Sequence, residues 1–101
     1  MPRTLRVGRV TVSAGDEDAY IRTVHDLARL AHERGINIWL FRHGREPGRF
    51  FEFVEGAQDE VLSEPRSSEE AELIRRLESI AVYAPESADW WYEVPVPEPL
   101  D

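Results

Sequence analysis

The runs Ile36-Asn37-Ile38-Trp39-Leu40-Phe41-Arg42-His43 and Arg49-Phe50-Phe51-Glu52-Phe53-Val54-Glu55-Gly56, joined by Gly44-Arg45-Glu46-Pro47-Gly48, decide the fold of this chain. Two β-prone runs around a short loop containing Gly and Pro read as a β-hairpin. An odd loop of this length sets His43 opposite Arg49, Phe41 opposite Phe51 and Trp39 opposite Phe53, which gathers the aromatics on one face. Ile36, Ile38, Leu40, Phe50 and Val54 then share the other face, with Glu52 among them. Both faces are largely apolar and neither can be left in water. Helices with aliphatic stripes suit the aliphatic face, and a second sheet or subunit suits the aromatic one.

Working outward, Leu5 to Val12 forms a first strand that ends at Ser13, Ala14 and Gly15. Asp16, Glu17 and Asp18 supply a capping candidate and negative charge for a helix start. Tyr20, Val24, Leu27, Ala28 and Ala31 follow at helical spacing until Gly35. Arg22, Asp26, Arg29 and Glu33 fall on the opposite face as a solvated surface. Beyond the hairpin, Ala57 to Ser63 makes a helical turn, and Glu64, Pro65 and Arg66 break it. Ser67 with Glu70 fits a capping box, and Ala71, Leu73, Ile74, Leu77, Ile80 and Ala81 form the stripe of a second helix, with Glu72 and Arg76 able to pair across one turn. Trp90 to Val94 gives a last strand. The order βαββαβ predicts a ferredoxin-like α+β fold, a four-stranded antiparallel sheet with two helices on one face. A single domain over residues 1–95 and an extended Pro-rich tail over 96–101 are expected.

At 101 residues the chain can bury only a thin core, so shared burial in a homodimer would help it. A net charge of -8, with the basic residues scattered, argues against a nucleic-acid partner. All 12 basic residues are Arg and none is Lys, a bias read as background rather than function. The absence of Cys excludes a disulfide framework, a thiolate nucleophile and Cys-based zinc sites. No stretch approaches the ~20 apolar residues of a membrane span, and the start Met-Pro-Arg-Thr is unlike a signal peptide, so a cytoplasmic location is expected.

Trp39-Leu40-Phe41-Arg42, Glu46-Pro47-Gly48-Arg49-Phe50 and Glu52-Phe53-Val54-Glu55 resemble the second and third strands, with their turn, of the dimeric α+β barrel superfamily. Asp59-Glu60-Val61-Leu62 is similar to the acidic turn that follows them there. That group includes antibiotic biosynthesis monooxygenase-like and NIPSNAP-like proteins. The resemblance implies a homodimer pairing two sheets face to face, with a small ligand between sheet and helices. Haem-degrading members resemble one another in an N-terminal strand Asn and a second-helix His. The first strand here has no Asn and no His follows His43, so neither haem nor another cofactor is expected.

Few residues are placed for chemistry. His25 and His32 lie on one flank of the first helix, roughly 10 Å apart along its axis, too far to share a metal ion, so no metal site is expected. His25 at a pocket mouth is a candidate base. Glu52 among aliphatic neighbours must be paired or raised in pKa; Arg42, diagonal across the hairpin, is the expected partner, and a catalytic carboxylate is the other reading. Tyr20 is a candidate hydrogen-bond donor to a ligand, as Arg42 is in a binding role. Trp39 and Trp91 read either as aromatic platforms for a ligand or as core and interface. The expected function is binding of a small apolar or aromatic molecule. The alternatives are a cofactor-free monooxygenase or isomerase and an accessory dimer with no ligand.

Overall fold

The alternation over residues 36–56 closes as an antiparallel hairpin in the register the odd loop dictates. A computed structural model describes residues 2–99, and in it Trp39 opposes Phe53, Phe41 opposes Phe51, and the His43 N–H donates to the Arg49 carbonyl at 2.8 Å. The elements are β1 (Thr4–Val12), α1 (Glu17–His32), β2 (Asn37–Arg42), β3 (Arg49–Gly56), α2 (Gln58–Val61), α3 (Ser68–Ile80), β4 (Ala81–Tyr83) and β5 (Trp90–Tyr92). The sheet order is β2-β3-β1-β4, and β5 continues the same edge by pairing with β1 over Thr4 to Arg6. This is the ferredoxin-like arrangement, with α1 and α3 packed on one face.

The edge strand differs from expectation. It is broken into β4 and β5 by a 3-10 turn over Pro85–Ala88, which gives five strands rather than four. Ala81, expected to close the stripe of the second helix, instead starts β4 opposite Val12. A β-prone Ala-Val-Tyr triplet gains ladder hydrogen bonds there that another helical turn ahead of Pro85 would forgo.

Local chemistry fixes the element ends. The α1 helix stops at Gly35, whose φ of 76° allows Gly35 N–H to reach the His32 carbonyl and Ile36 N–H the Ala31 carbonyl. The Ser67 hydroxyl accepts from Glu70 N–H at 3.0 Å at the start of α3. Gly48, at φ 75°, brings the hairpin loop against the end of β1, where a Cβ would lie 2.2 Å from the Val12 carbonyl oxygen.

The core joins Val10, Val12, Tyr20, Val24, Phe50, Leu77 and Ala81 between sheet and helices. Each large apolar side chain sealed there contributes about 1.5–3 kcal/mol. The opposite sheet face carries Trp39, Phe41 and Phe51, which are 47%, 57% and 45% exposed. After Tyr92 the described chain forms no regular element and is exposed, although Glu93 N–H still donates to the Arg3 carbonyl at 2.7 Å. Leu100 and Asp101, part of the expected tail, lie outside the described residues. Among the described residues no helix is long and apolar enough to cross a membrane.

Candidate active site

Alternation along β1 sends Thr4, Arg6, Gly8, Val10 and Val12 toward the helices, and the β3 register sets Gly8 opposite Glu52 and Arg6 opposite Val54. A glycine opposite Glu52 leaves open space in the sheet-to-helix layer. A cavity of about 570 Å³ fills that space, walled by Ile38, Val54, Leu27, Ile74 and Leu77 and lined at its polar end by Glu52 and Tyr83. This volume falls within the range of small-molecule sites.

Glu52 is the chemical centre of that wall. Tyr20, fully buried on α1, donates its phenolic hydrogen to Glu52 Oε1 at 2.5 Å, and Tyr83 on β4 donates to the same oxygen at 2.7 Å. Two O–H donors use both acceptor positions of Oε1. Oε2 has no hydrogen-bond partner among the described residues, is not sealed from solvent, and lies 3.4 Å from where a Gly8 Cβ would stand. The proton of the neutral acid therefore sits on Oε2, at the cavity wall. When the group is ionised, the same atom is the available base.

Burial pushes the Glu52 carboxyl above its usual range, against the opposing effects of the Tyr20 and Tyr83 hydrogen bonds and of the Arg6 charge. Burial, followed by the Glu52 charge, raises both phenols and keeps them protonated donors. A desolvated carboxyl held by two fixed donors, with one oxygen unpaired beside the cavity's aliphatic wall, is equipped to exchange a proton with a bound molecule.

The other polar end of the cavity is neutralised internally. Arg34, just past α1, donates to Glu60 at 3.0 Å, to Ser63 at 3.0 Å and to Glu70 at 2.5 Å, and Arg66 also donates to Glu60 at 2.5 Å. These contacts tie α2 and the start of α3 to the end of α1.

No protein-family model and no curated protein matches the sequence. Solved structures do match. The chain superposes on a conserved protein of unknown function from Bacteroides thetaiotaomicron, proposed to be an oxidoreductase, with a TM-score of 0.76 and 9% identity over 90% of this chain and 97% of that one. It is also similar to a proposed antibiotic biosynthesis monooxygenase from Bordetella bronchiseptica (TM-score 0.67, 17% identity, 95% and 99% of the two chains). A second such protein, from Chloroflexus aurantiacus, has a TM-score of 0.68 and 16% identity over 97% and 96% of the two chains. The fold is that of the antibiotic biosynthesis monooxygenase-like proteins. At these identities the likeness concerns architecture alone.

Within this fold, the residues singled out in the sequence separate. Glu52 and Tyr20 come together, 32 positions apart in the chain. The expected Arg42–Glu52 ion pair is absent. Arg42 stands opposite Phe50 at the hairpin end of β2, passes over the Phe50 ring at 5.7 Å and approaches Glu17 at 4.0 Å. The guanidinium itself lies over the ring with the side chain 58% exposed, a cation–π contact that keeps water on the charge and spares the cost of burying it. There Arg42 lines a smaller hollow of about 250 Å³ with Phe41 and His43.

His25 is exposed on α1 and is not among the residues lining the main cavity. Trp39 lies on the outer sheet face, and Trp91, paired with Leu5 at the sheet edge, shares that face and is 58% exposed. Sequence reasoning missed Tyr83, Gly8, Arg6 and Arg34. The available signals were the Ala-Val-Tyr triplet before Pro85 and an Arg at a helix-facing position of β1.

Proposed function

We propose that the protein binds a small, largely apolar or aromatic molecule in the cavity between sheet and helices, and does so as a homodimer that covers the aromatic sheet face. The observation that carries this reading is the 570 Å³ cavity with Glu52 Oε2 left unpaired at its wall. An accessory dimer with no ligand would fill such a volume with its own side chains, because empty apolar space forfeits contacts that close packing supplies. The exposed Trp39, Phe41 and Phe51 support the dimer, since a second copy of the same face removes them from water.

A cofactor-free isomerase or monooxygenase is the second reading, favoured by the same unpaired oxygen. Ionised Glu52 takes a proton from an acidic C–H or O–H of the substrate, which leaves an enolate or phenolate beside the Tyr20 and Tyr83 pair. Returning that proton to another atom is isomerisation. Alternatively the anion's carbon adds to dioxygen, the resulting peroxide takes back the Glu52 proton, and cleavage of its O–O bond with loss of the C–H proton leaves a carbonyl and releases water, so the substrate supplies the electrons and one oxygen atom enters the product.

Screening phenolic and quinone-like compounds by tryptophan fluorescence and then by oxygen uptake tests both readings. Binding without oxygen uptake or substrate rearrangement supports the binding protein, turnover supports the enzyme, and failure of every compound to bind rejects both.

A further inference from the structure

We infer that the molecule held in this cavity carries a carboxylate, and that Arg6 is the residue that selects it. This rests on the cavity being a ligand site, as proposed above. Arg6 lines the cavity from β1, half-buried, one step diagonal to Glu52 across the β1–β3 pair. Its guanidinium has no ion-pair or hydrogen-bond partner among the described residues. The cavity's other arginine, Arg34, is already matched by Glu60 and Glu70. Glu78 of α3 lies at the exposed edge and makes no ion pair with Arg6 within 4.0 Å. A half-buried guanidinium with no ion pair within 4.0 Å among the described residues, beside an apolar wall, is complemented by an anion at the end of an apolar body. The planar fork of Arg fits a carboxylate with two parallel hydrogen bonds.

The neighbouring Glu52 adds a second condition. Two carboxylates side by side repel, so a bound acid requires Glu52 in its neutral form. Because Tyr20 and Tyr83 occupy Oε1, the Glu52 proton is on Oε2 and is donated toward the ligand. The charged and titratable groups facing this point are Arg6 from β1, Tyr20 from α1, Glu52 from β3, Glu78 from α3 and Tyr83 from β4. Binding of the carboxylate therefore favours the protonated form of Glu52 and weakens as pH rises through the range in which Glu52 ionises.

The test uses 2-naphthoate and its neutral counterpart 2-naphthylmethanol as probes, with dissociation constants measured by calorimetry on the full chain at about pH 5 and about pH 8. Naphthoate is expected to bind at least about tenfold more tightly than the alcohol at the lower pH and to lose that advantage at the higher one. Arg6→Gln is expected to abolish the preference, read as the ratio of the two probes' dissociation constants within each variant, and Arg6→Lys to restore part of it. In Glu52→Gln the pH dependence of the preference disappears. Equal affinity for the two probes in the wild type, or a preference that survives in Arg6→Gln, overturns the carboxylate assignment while leaving the cavity reading intact. If neither probe binds, the cavity reading itself fails and this inference fails with it.

Discussion

Tyr83 donates its phenolic hydrogen to Glu52 Oε1 at 2.7 Å, joining β4 to β3 across the intervening β1. Tyr20 reaches the same atom from α1, so one carboxylate oxygen ties together three elements distant in sequence. Buried hydroxyls need acceptors, and buried carboxyls need donors. Here each need meets the other, while the second oxygen stays free at the cavity.

Glu52→Gln and Glu52→Ala separate the structural part of that arrangement from the chemical part. Gln keeps a carbonyl oxygen for both tyrosines, so its melting temperature is expected within a few degrees of the wild type, with ligand proton exchange lost. Ala leaves two buried phenols without an acceptor, at about 1–3 kcal/mol for each unsatisfied group. Thermal unfolding is expected to show Glu52→Ala less stable by about 2–6 kcal/mol. Equal stability of the two variants would contradict the hydrogen-bonded arrangement.

The pH dependence of stability has a definite sign. Burial raises the folded Glu52 carboxyl above its usual 4.5, so the folded state holds this proton more tightly than the unfolded chain does. The stabilisation is fully present below that usual value and is lost as pH rises through the folded value. Glu55, Glu46 and Glu72 are lowered chiefly by hydrogen bonds from Arg3, Arg49 and Arg75, and act in the opposite sense, losing stability as pH falls. They are shared by both proteins and cancel in the difference. The wild-type melting temperature is therefore expected to decline relative to Glu52→Gln as pH rises above about 4.5; a difference independent of pH would contradict the raised carboxyl.

The hairpin register, the helix-facing aliphatic set and the burial of Glu52 were legible because a two-residue period and an odd loop leave no other pairing that keeps the apolar sets intact. The partner of Glu52 was not legible. Local geometry favoured Arg42, a diagonal neighbour, whereas tertiary packing delivered Tyr20 and Tyr83 from 32 and 31 positions away. Tyr83 was hidden further because Ile80 and Ala81 continue the helical stripe of α3, and a three-residue strand carries almost no periodicity. Arg6 and Gly8 gained meaning only when the β1–β3 register set them around Glu52.

Gly8→Ala probes access to Oε2 without disturbing the fold. The added Cβ would lie 3.4 Å from Glu52 Oε2 and 3.5 Å from the Tyr83 ring, ordinary contacts that the strand accepts. Ala in a strand interior is favoured over Gly by about 0.5–1 kcal/mol, so stability is expected to hold or rise slightly. The methyl group shields Oε2 from the cavity, and affinity for a cavity ligand is expected to fall by about tenfold, as calorimetry would measure. Undiminished binding would mean that ligands do not use this wall.

The aromatic sheet face offers the sharpest test of the dimer. Trp39 is 47% exposed in a single chain, so Trp39→Glu creates no buried charge in the monomer and is expected to leave it folded. In a dimer that pairs these faces, the same carboxylate is desolvated without a partner, at a cost of several kcal/mol. Sedimentation at micromolar concentration is expected to show the wild type as a dimer and Trp39→Glu as a folded monomer. Phe53→Glu, half-buried at the centre of the same face, is expected to dissociate the dimer and also to lower the melting temperature, because Phe53 packs edge-on against Phe41 at 5.5 Å within one chain. A wild type that sediments as a monomer, or a Trp39→Glu variant that remains a stable dimer, would place the contact elsewhere and leave the aromatic face without the role proposed for it.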